Sequence, residues 1–422
     1  MPLFENWQDE LNFVDSLMKR VSLESDPNEM VRTYVAGIRQ IFPADRWISI
    51  SRRGLDPPYV RITRSTLWQT QVDPWKEKAR LPILDGGTLS DLLYRNQPCV
   101  ELDFHADPSD PAYEHLAGAR SLMALPQYDN GESLNMAISM WNQPGAFDPA
   151  RVPGMLWQAN LFGRATHNMV LRQELGAAYA AIDRELQAVG AIQRSLLPTE
   201  LPVIPRLSLA AFYETSQRAG GDFYDVFPLP DGQWGILIGD VSGHGTPAAV
   251  MMAVTHTLAH SHPGPPVPPR DVLRRLNAIL CSRYTRGNGT FITAFYAVFD
   301  PRNGELRYAC AGHNPPRVRR AGAVLELGET GGLPLGVVAE SDYPEASVAL
   351  RSGDVLFLYT DGIVEAFSAS GEMFDTPRLD RILLAAGDEP ETIISTVNCE
   401  LRVFVGDRPL SDDRTMLVGR VN

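Results

Sequence analysis

Cysteine is scarce in this chain, with four residues in 422. Cys99, Cys281, Cys310 and Cys399 are scattered and show no C-x-x-C spacing. That argues against a disulfide framework or a thiolate zinc site, and each cysteine is expected to be a small buried hydrophobe. No stretch approaches 18 uninterrupted apolar residues, so no membrane span is expected. The opening MPLFENWQDELNF lacks the basic and apolar regions of a signal peptide. Positive charge is in deficit: 38 Lys and Arg face 51 Asp and Glu, a net charge of −13. A nucleic-acid or anionic-membrane partner, which calls for a basic face, is disfavoured. A reducing, cytoplasmic setting fits these absences.

What is present is ordinary globular material, 44% hydrophobic and 21% charged. The length allows two or three domains, and no repeat of fixed period stands out. Three zones separate by pattern: 1–165, 166–198 and 199–422. The first opens with two helical patterns, one through Leu11, Val14, Leu17, Met18 and Val21, the other through Val31, Tyr34, Val35, Ile38 and Ile41. Asp26-Pro27 is a good start for the second, because proline suits the first helical turn. The runs RWISISR and YVRITRS read as strands. SLMALPQYDNGESLNMAISMW reads as a hairpin around Asp129-Asn130-Gly131, since Asn-Gly tolerates positive φ at both turn positions.

The order of these elements, with LSDLLYRNQPCVE and GAFDPARVPGMLWQANLFGRAT, resembles a GAF domain, an α/β sensor module. The resemblance implies a small-ligand site but names no ligand. Cys99 is expected to sit in a core rather than carry a prosthetic group.

The second zone is free of proline up to Pro198. Counting in sevens places Leu175, Ile182, Val189 and Leu196 on one seam position. Leu171, Ala178 and Ile192 fall on the other, which Glu185 interrupts. The pattern fits a helix packed on its own domain or a parallel coiled coil in a homodimer. The coiled coil is preferred, because a helix between domains has little core to lean on.

The third zone alternates strand-like runs (LSLAAFYE, WGILIGDV, TAFYAVFD, ELRYACAG, DVLFLYTDG, RTMLVGRV) with helical ones (PAAVMMAVTHTLAHS, RDVLRRLNAILCSRY, ETIISTVNCELRVFV). HPGPPVPP is a proline-rich spacer. Aspartates recur where the apolar runs begin or end: Asp222 in RAGGDFYDV, Asp240 in LIGDVSGHG, Asp361 in LFLYTDGIVEA, and Asp412 and Asp413 in LSDDRTMLV. Hard divalent cations need several oxygen ligands. Short carboxylates at strand ends can supply them, and adjacent glycines let backbone carbonyls approach.

In this order GGDFYD, GDVSGHG, FITAFYAVFD, AGHNPP, GLPLGV, YTDG and DDRT resemble the PPM family, the type 2C metal-dependent protein phosphatases. The similarity is greatest to the branch holding the sporulation stage II E phosphatase and regulators of the stress sigma factor, where AIQRSLLP also recurs before the domain. The resemblance implies an α+β chain with a C-terminal β-sandwich flanked by helices. It also implies two Mn²⁺ or Mg²⁺ ions bridged by hydroxide. Asp240 matches the bridging carboxylate, with the Val241 carbonyl beside it. Asp222 matches a ligand of one ion, and Asp361 and Asp412 match ligands of the other; Asp413 is a further candidate. His244 stands two residues beyond the family's histidine position, and is either a general acid or a loop residue. Arg218 is either a phosphate ligand at altered spacing or a solvated arginine. Asp225 reads as a turn or supporting residue, and His313 and Asn314 as structural residues near the cleft. The implied activity is dephosphorylation of phosphoserine or phosphothreonine in a protein, within this branch a STAS-domain anti-anti-sigma factor.

Three other readings fare worse. A diguanylate cyclase needs an acidic residue where Phe223 follows Gly220-Gly221-Asp222. A catalytically weak phosphatase-like binding module would have lost metal aspartates, and the four principal positions are filled. A small-molecule phosphatase finds no nucleotide fingerprint.

Overall fold

The computed structural model describes residues 6–261, 267–287, 289–328 and 331–422. The proline-rich HPGPPVPP run lies largely outside them. The chain divides into two compact units, Met1–Tyr179 and Ala180–Asn422.

In the first unit, α1 (Trp7–Leu23) is capped by Asn6, whose side chain accepts from the Asp9 N–H. Asp26 caps α2 (Pro27–Ile41) by accepting from the Asn28 and Glu29 N–H groups. This satisfies two of the donors that a helix start leaves open. There follow β1 (Arg46–Ser51), β2 (Tyr59–Ser65), β3 (Ile83–Asp85), α3 (Thr88–Tyr94), β4 (Cys99–Glu101), α4 (Tyr113–Leu116), β5 (Ser121–Asp129) and β6 (Glu132–Trp141). The strands form one antiparallel sheet in the order β3-β2-β1-β6-β5-β4. The β5–β6 turn has Asn130 and Gly131 at φ of 51° and 82°, as the Asn-Gly dipeptide predicts. One core packs Ile48, Ile50 and Ile62 with Leu89 and Leu93 of α3. A second gathers Met123, Leu125 and Trp141 with Phe42 and Val152.

Helix α5 (Val152–Leu196) is 45 residues long. It starts fourteen residues ahead of the helix expected from residue 166, because Pro153 is tolerated in a first turn. Of the seam positions, Leu171, Leu175, Ile182 and Ile192 are exposed, while Val189 and Leu196 are half-buried.

The second unit continues with β7 (Leu207–Glu214), β8 (Phe223–Pro228), β9 (Trp234–Val241), α6 (Thr246–His260), α7 (Pro269–Arg283), β10 (Ile292–Asp300), β11 (Glu305–Ala311), β12 (Arg317–Arg320), β13 (Ala323–Glu326), β14 (Glu345–Ala349), β15 (Val355–Tyr359), α8 (Asp361–Val364), α9 (Thr376–Ala385), α10 (Pro390–Val405) and β16 (Arg414–Val421). Two five-stranded antiparallel sheets form, β14-β11-β10-β9-β8 and β13-β12-β15-β16-β7. The apolar runs of β15 and β16 are buried on both faces. Leu356, Leu358 and Leu417 join the core that holds Ile236, Phe295 and Leu306 of the other sheet. Their alternates Val355, Phe357, Met416 and Val418 pack with Leu379, Ile393 and Val397 of the outer helices α9 and α10. This is a β-sandwich with flanking helices, an α+β architecture as expected.

The cysteines depart from expectation. Cys310 is buried, Cys99 and Cys281 are half-buried, and Cys399 is exposed; all four are free thiols. The helical run that carries Cys399 turns that position to solvent.

Candidate active site

The acidic residues meet because the ends of adjacent strands meet. In the first sheet Phe223 of β8 pairs with Gly239 of β9. One step further along this antiparallel register puts Asp222 across from Asp240. In the second sheet Tyr359 of β15 pairs with Met416 of β16. Asp361 therefore leaves β15 beside Asp412 and Asp413, which lead into β16. The two sheets are tied at this point through Asp222. Its Oδ2 accepts from Thr360 Oγ1 at 2.7 Å and from Thr415 Oγ1 at 2.6 Å.

The electrostatics are those of crowded carboxylates. Burial raises the pKa of Asp222, the Thr415 and Thr360 hydroxyls offset part of this, and Asp413 and Asp361 add to it. Asp240 is raised by burial and then by the charges of Asp222, Asp361 and Asp412. Asp361 is pushed up to about 6 by burial, Asp412 and Glu365. Burial also raises Asp412, against a backbone hydrogen bond from Asp413 and the nearby His244. Like charges held this close disfavour joint ionisation unless a cation compensates them.

The backbone leaves room at the same place. A methyl group on Gly221 would lie 2.5 Å from the Val241 carbonyl oxygen and 2.9 Å from Asp240 Oδ1. Only glycine permits that approach. Four mutually destabilised carboxylates and one carbonyl oxygen make an all-oxygen donor set of the kind hard divalent cations take. The residues present fit Mn²⁺ or Mg²⁺.

Asp413 is placed differently from its neighbour. Its Oδ1 accepts from the Ser216 N–H at 2.7 Å and its Oδ2 from the Gly221 N–H at 2.7 Å. Both oxygens are thus engaged in fixing the loop that carries Asp222. Asp412 keeps one oxygen without such a bond, since only its Oδ1 accepts, from the Asp413 N–H.

His244 and Arg218 line a cleft that also includes Leu186 of α5, Gln217 and Thr246. His244 is exposed, and its Nδ1 lies 2.8 Å from the Gln217 amide nitrogen. Arg218 is exposed and carries a surface ion pair. Its Nε and Nη2 donate to Asp183 of α5 at 2.8 and 3.3 Å.

Sequence reading passed over Gln193. This residue of α5 is 3% exposed. Its Oε1 accepts from the Gly220 N–H at 3.0 Å, and its Nε2 donates to the Gly220 carbonyl at 2.6 Å and to Tyr213 Oη at 3.0 Å. A glutamine inside AIQRSL gives no local sign of such a contact.

Asp225 is within β8 rather than in a turn. His256 Nε2 and His260 Nε2 of α6 lie 2.8 and 2.5 Å from its Oδ2. Burial alone would raise its pKa, but the two imidazoles outweigh that and hold it well below the usual carboxylate range. One ligand-type atom from each of these three residues lies within 4.8 Å of the others. The His-x-x-x-His spacing was visible in PAAVMMAVTHTLAHS. Its partner on β8 was not. His313 is buried, with Nδ1 2.9 Å from Thr293 Oγ1.

Residues 230–422 match the family model described as Stage II sporulation protein E (SpoIIE). The chain is 29% identical over 260 residues to Protein IcfG of Synechocystis sp., covering 55% of this chain and 41% of that protein. It is 28% identical over 252 residues to phosphoserine phosphatase RsbU of Bacillus subtilis, covering 59% and 73%. Phosphoserine phosphatase RsbP of the same organism is 27% identical over 194 residues, covering 46% and 48%. The chain thus spans less than half the length of two of these three relatives. Among solved structures, the SiaA-PP2C domain of Pseudomonas aeruginosa superposes with a TM-score of 0.51 at 24% identity, over 59% of this chain and 100% of that one, so the fold is shared. Strand-end carboxylates, sandwich and family match agree, and the C-terminal part of the chain is similar to PP2C-type phosphatase domains of the stage II sporulation protein E kind and to the RsbU and RsbP phosphoserine phosphatases.

Proposed function

We propose that the chain is a metal-dependent protein phosphatase that hydrolyses phosphoserine or phosphothreonine, with a STAS-domain anti-anti-sigma protein as substrate. The observation that carries this reading is the group Asp222, Asp240, Asp361 and Asp412, brought together at the strand ends beside the Val241 carbonyl, each with its pKa raised by burial and by neighbouring carboxylates. In this reading those side chains and that carbonyl would hold two Mn²⁺ or Mg²⁺ ions, with Asp240 as the central ligand. When bound, the ions supply an acidified water and neutralise charge on the phosphoryl oxygens. Thr360 and Thr415 hold Asp222 in one orientation and favour its ionised form. Asp413 positions the 216–221 loop instead of ligating. His244, steadied by Gln217 at the cleft, protonates the leaving serine or threonine oxygen. Arg218 serves to fix α5 through Asp183 rather than to bind phosphate.

The N-terminal unit is assigned a sensor role of the GAF type, and the exposed apolar positions of α5 a parallel homodimer seam. The gain from the seam is burial of Leu171, Leu175, Ile182 and Ile192, which a single chain leaves in water. Control of the site through α5 is supported by the Gln193–Gly220 and Asp183–Arg218 contacts. No nucleic-acid partner is assigned. Among the described residues no helix is long and apolar enough to cross a membrane.

The test is release of phosphate from phosphorylated STAS proteins by the full chain. Mn²⁺ or Mg²⁺ should be required, and EDTA should stop the reaction. Undiminished hydrolysis in excess chelator would refute the metal reading. Hydrolysis of p-nitrophenyl phosphate without any action on phospho-STAS proteins would refute the substrate.

A further inference from the structure

The N-terminal unit encloses a cavity of about 450 Å³ between α2, the face of the sheet at β1 and β2, and the Met155–Glu174 part of α5. That is large enough for a one- or two-ring molecule. Its wall carries the aromatic rings of Tyr34, Trp47, Trp75 and Phe162. Its charges are unbalanced. Arg39, Arg53, Arg61, Arg64 and Lys78 line it, against the single carboxylate of Glu174. Carboxylates behind the lining offset part of this: Asp129 pairs with Arg53, and Asp73 and Asp26 lie near Arg64.

Most of these cations have an internal use. Arg53 pairs with Asp129 at 2.9 Å. Arg64 donates to Asn28 Oδ1 at 2.6 Å and lies 5.0 Å over the Trp75 ring. Arg39 lies 5.6 Å over Trp47. Arg61 stands apart. It is 8% exposed, and its one hydrogen bond is a long contact of 3.4 Å from Nη1 to the Arg53 carbonyl. Its buried Nε has no hydrogen-bond partner, and neither has the buried indole Nε1 of Trp47. Guanidinium and indole nitrogens are donors only. Buried donors of this kind cost stability until an acceptor meets them, and a buried cation is stabilised by a counter-charge. Burial lowers the pKa of Arg61 and brings that of Arg64 down to about 10, so Arg64 stays charged at neutral pH.

From the orphaned donors, the excess of cations and the aromatic wall, we infer that this cavity is a binding site for a small planar aromatic anion. The anionic oxygens accept from Arg61 and Trp47, and the ring packs on the aromatic wall. Ring carboxylates and nucleoside monophosphates share this chemistry. The inference rests on the cavity alone, so the phosphatase reading can fail without affecting it.

The experiment is calorimetric titration of the full chain with four probes: 2-naphthoate, its neutral analogue 2-naphthamide, 5′-AMP and adenosine. Tryptophan fluorescence gives an independent readout, because Trp47 and Trp75 line the cavity. At least one anion should bind at least 10-fold tighter than its uncharged counterpart. Which pair shows the preference separates a carboxylate from a phosphate ligand. Arg61→Met should abolish that preference. Trp47→Phe, which keeps an aromatic ring but removes the indole donor, should weaken the preferred anion several-fold more than its uncharged counterpart. Equal binding of charged and neutral probes, or absence of binding by both anions at millimolar concentration, overturns the inference. If Arg61→Met fails to fold, an unchanged affinity in Trp47→Phe overturns it as well.

Discussion

Replacing Gln193 by alanine is the sharpest probe of how α5 supports the acidic loop. The amide satisfies both backbone groups of Gly220 and the Tyr213 hydroxyl. Gly220 immediately precedes Gly221 and Asp222. Truncation strands a buried N–H and a buried carbonyl, each costing about 1–3 kcal/mol when left unpaired. Water entering the vacated space recovers part of this, so a net loss of about 3 kcal/mol is expected. For a unit the size of Ala180–Asn422 that corresponds to a fall in the thermal midpoint of roughly 6–12 °C. The loop should also loosen where Gly221 touches Asp413 and Val241, so the Mn²⁺ concentration for half-maximal phosphatase activity should rise. Outer contacts of metal ligands typically matter by about 10–100-fold in affinity. Differential scanning fluorimetry and an Mn²⁺ titration of activity read the two effects. Gln193→Glu separates them from simple loss of volume. It retains an acceptor for the Gly220 N–H but sets a carboxylate oxygen against the Gly220 carbonyl. An alanine variant with a midpoint within about 2 °C of wild type and an unchanged Mn²⁺ dependence would refute the reasoning.

Three further outcomes are expected. Asp240→Asn should lower turnover by more than about 100-fold, since changes outside the ligand shell alone cost 10–100-fold, while circular dichroism stays native; near-normal turnover at saturating Mn²⁺ would remove Asp240 from the bridging role. His313, whose pKa burial pushes down to about 4, is neutral in the fold but takes a proton near pH 6.5 when unfolded. Its contribution is present above pH 6.5 and is lost as pH falls toward 4, on the order of 3 kcal/mol; the stability difference between wild type and His313→Asn should shrink across that window, and parallel pH profiles would refute it. Leu175→Asp with Ile182→Asp puts charge on two exposed seam positions, so sedimentation should show monomer where wild type is dimeric, and a persistent dimer would exclude the seam.

Local rules carried the sequence reading a long way. The runs that became β9, β10, β15 and β16 were legible because a strand buried on both faces is apolar almost throughout, and those of β7 and β11 because they are short and rich in strand-favouring residues. The Asp26-Pro27 cap and the Asn130-Gly131 turn were legible because each needs only its immediate neighbours. The aspartates drew attention because each stands at the edge of an apolar run beside small residues. What the one-dimensional pattern did not contain was pairing at long range. That Asp222 faces Asp240 follows from the β8–β9 register, and β8 itself was hidden within an acidic motif. That Asp413 holds Ser216 and Gly221, while the adjacent Asp412 keeps an oxygen open, depends on which way two consecutive side chains point as β16 begins. Arg218 read equally as a phosphate ligand or a solvated arginine, and its ion pair with Asp183 of α5 was in neither reading. Asp225 read as a turn or supporting residue, and only α6 brought His256 and His260 to it. Composition showed an acidic chain, whereas folding collected five of its cations around one cavity. Strand and helix periodicity is a property of neighbours in sequence; hydrogen-bond satisfaction and charge balance are properties of neighbours in space, and only the tertiary structure decided them.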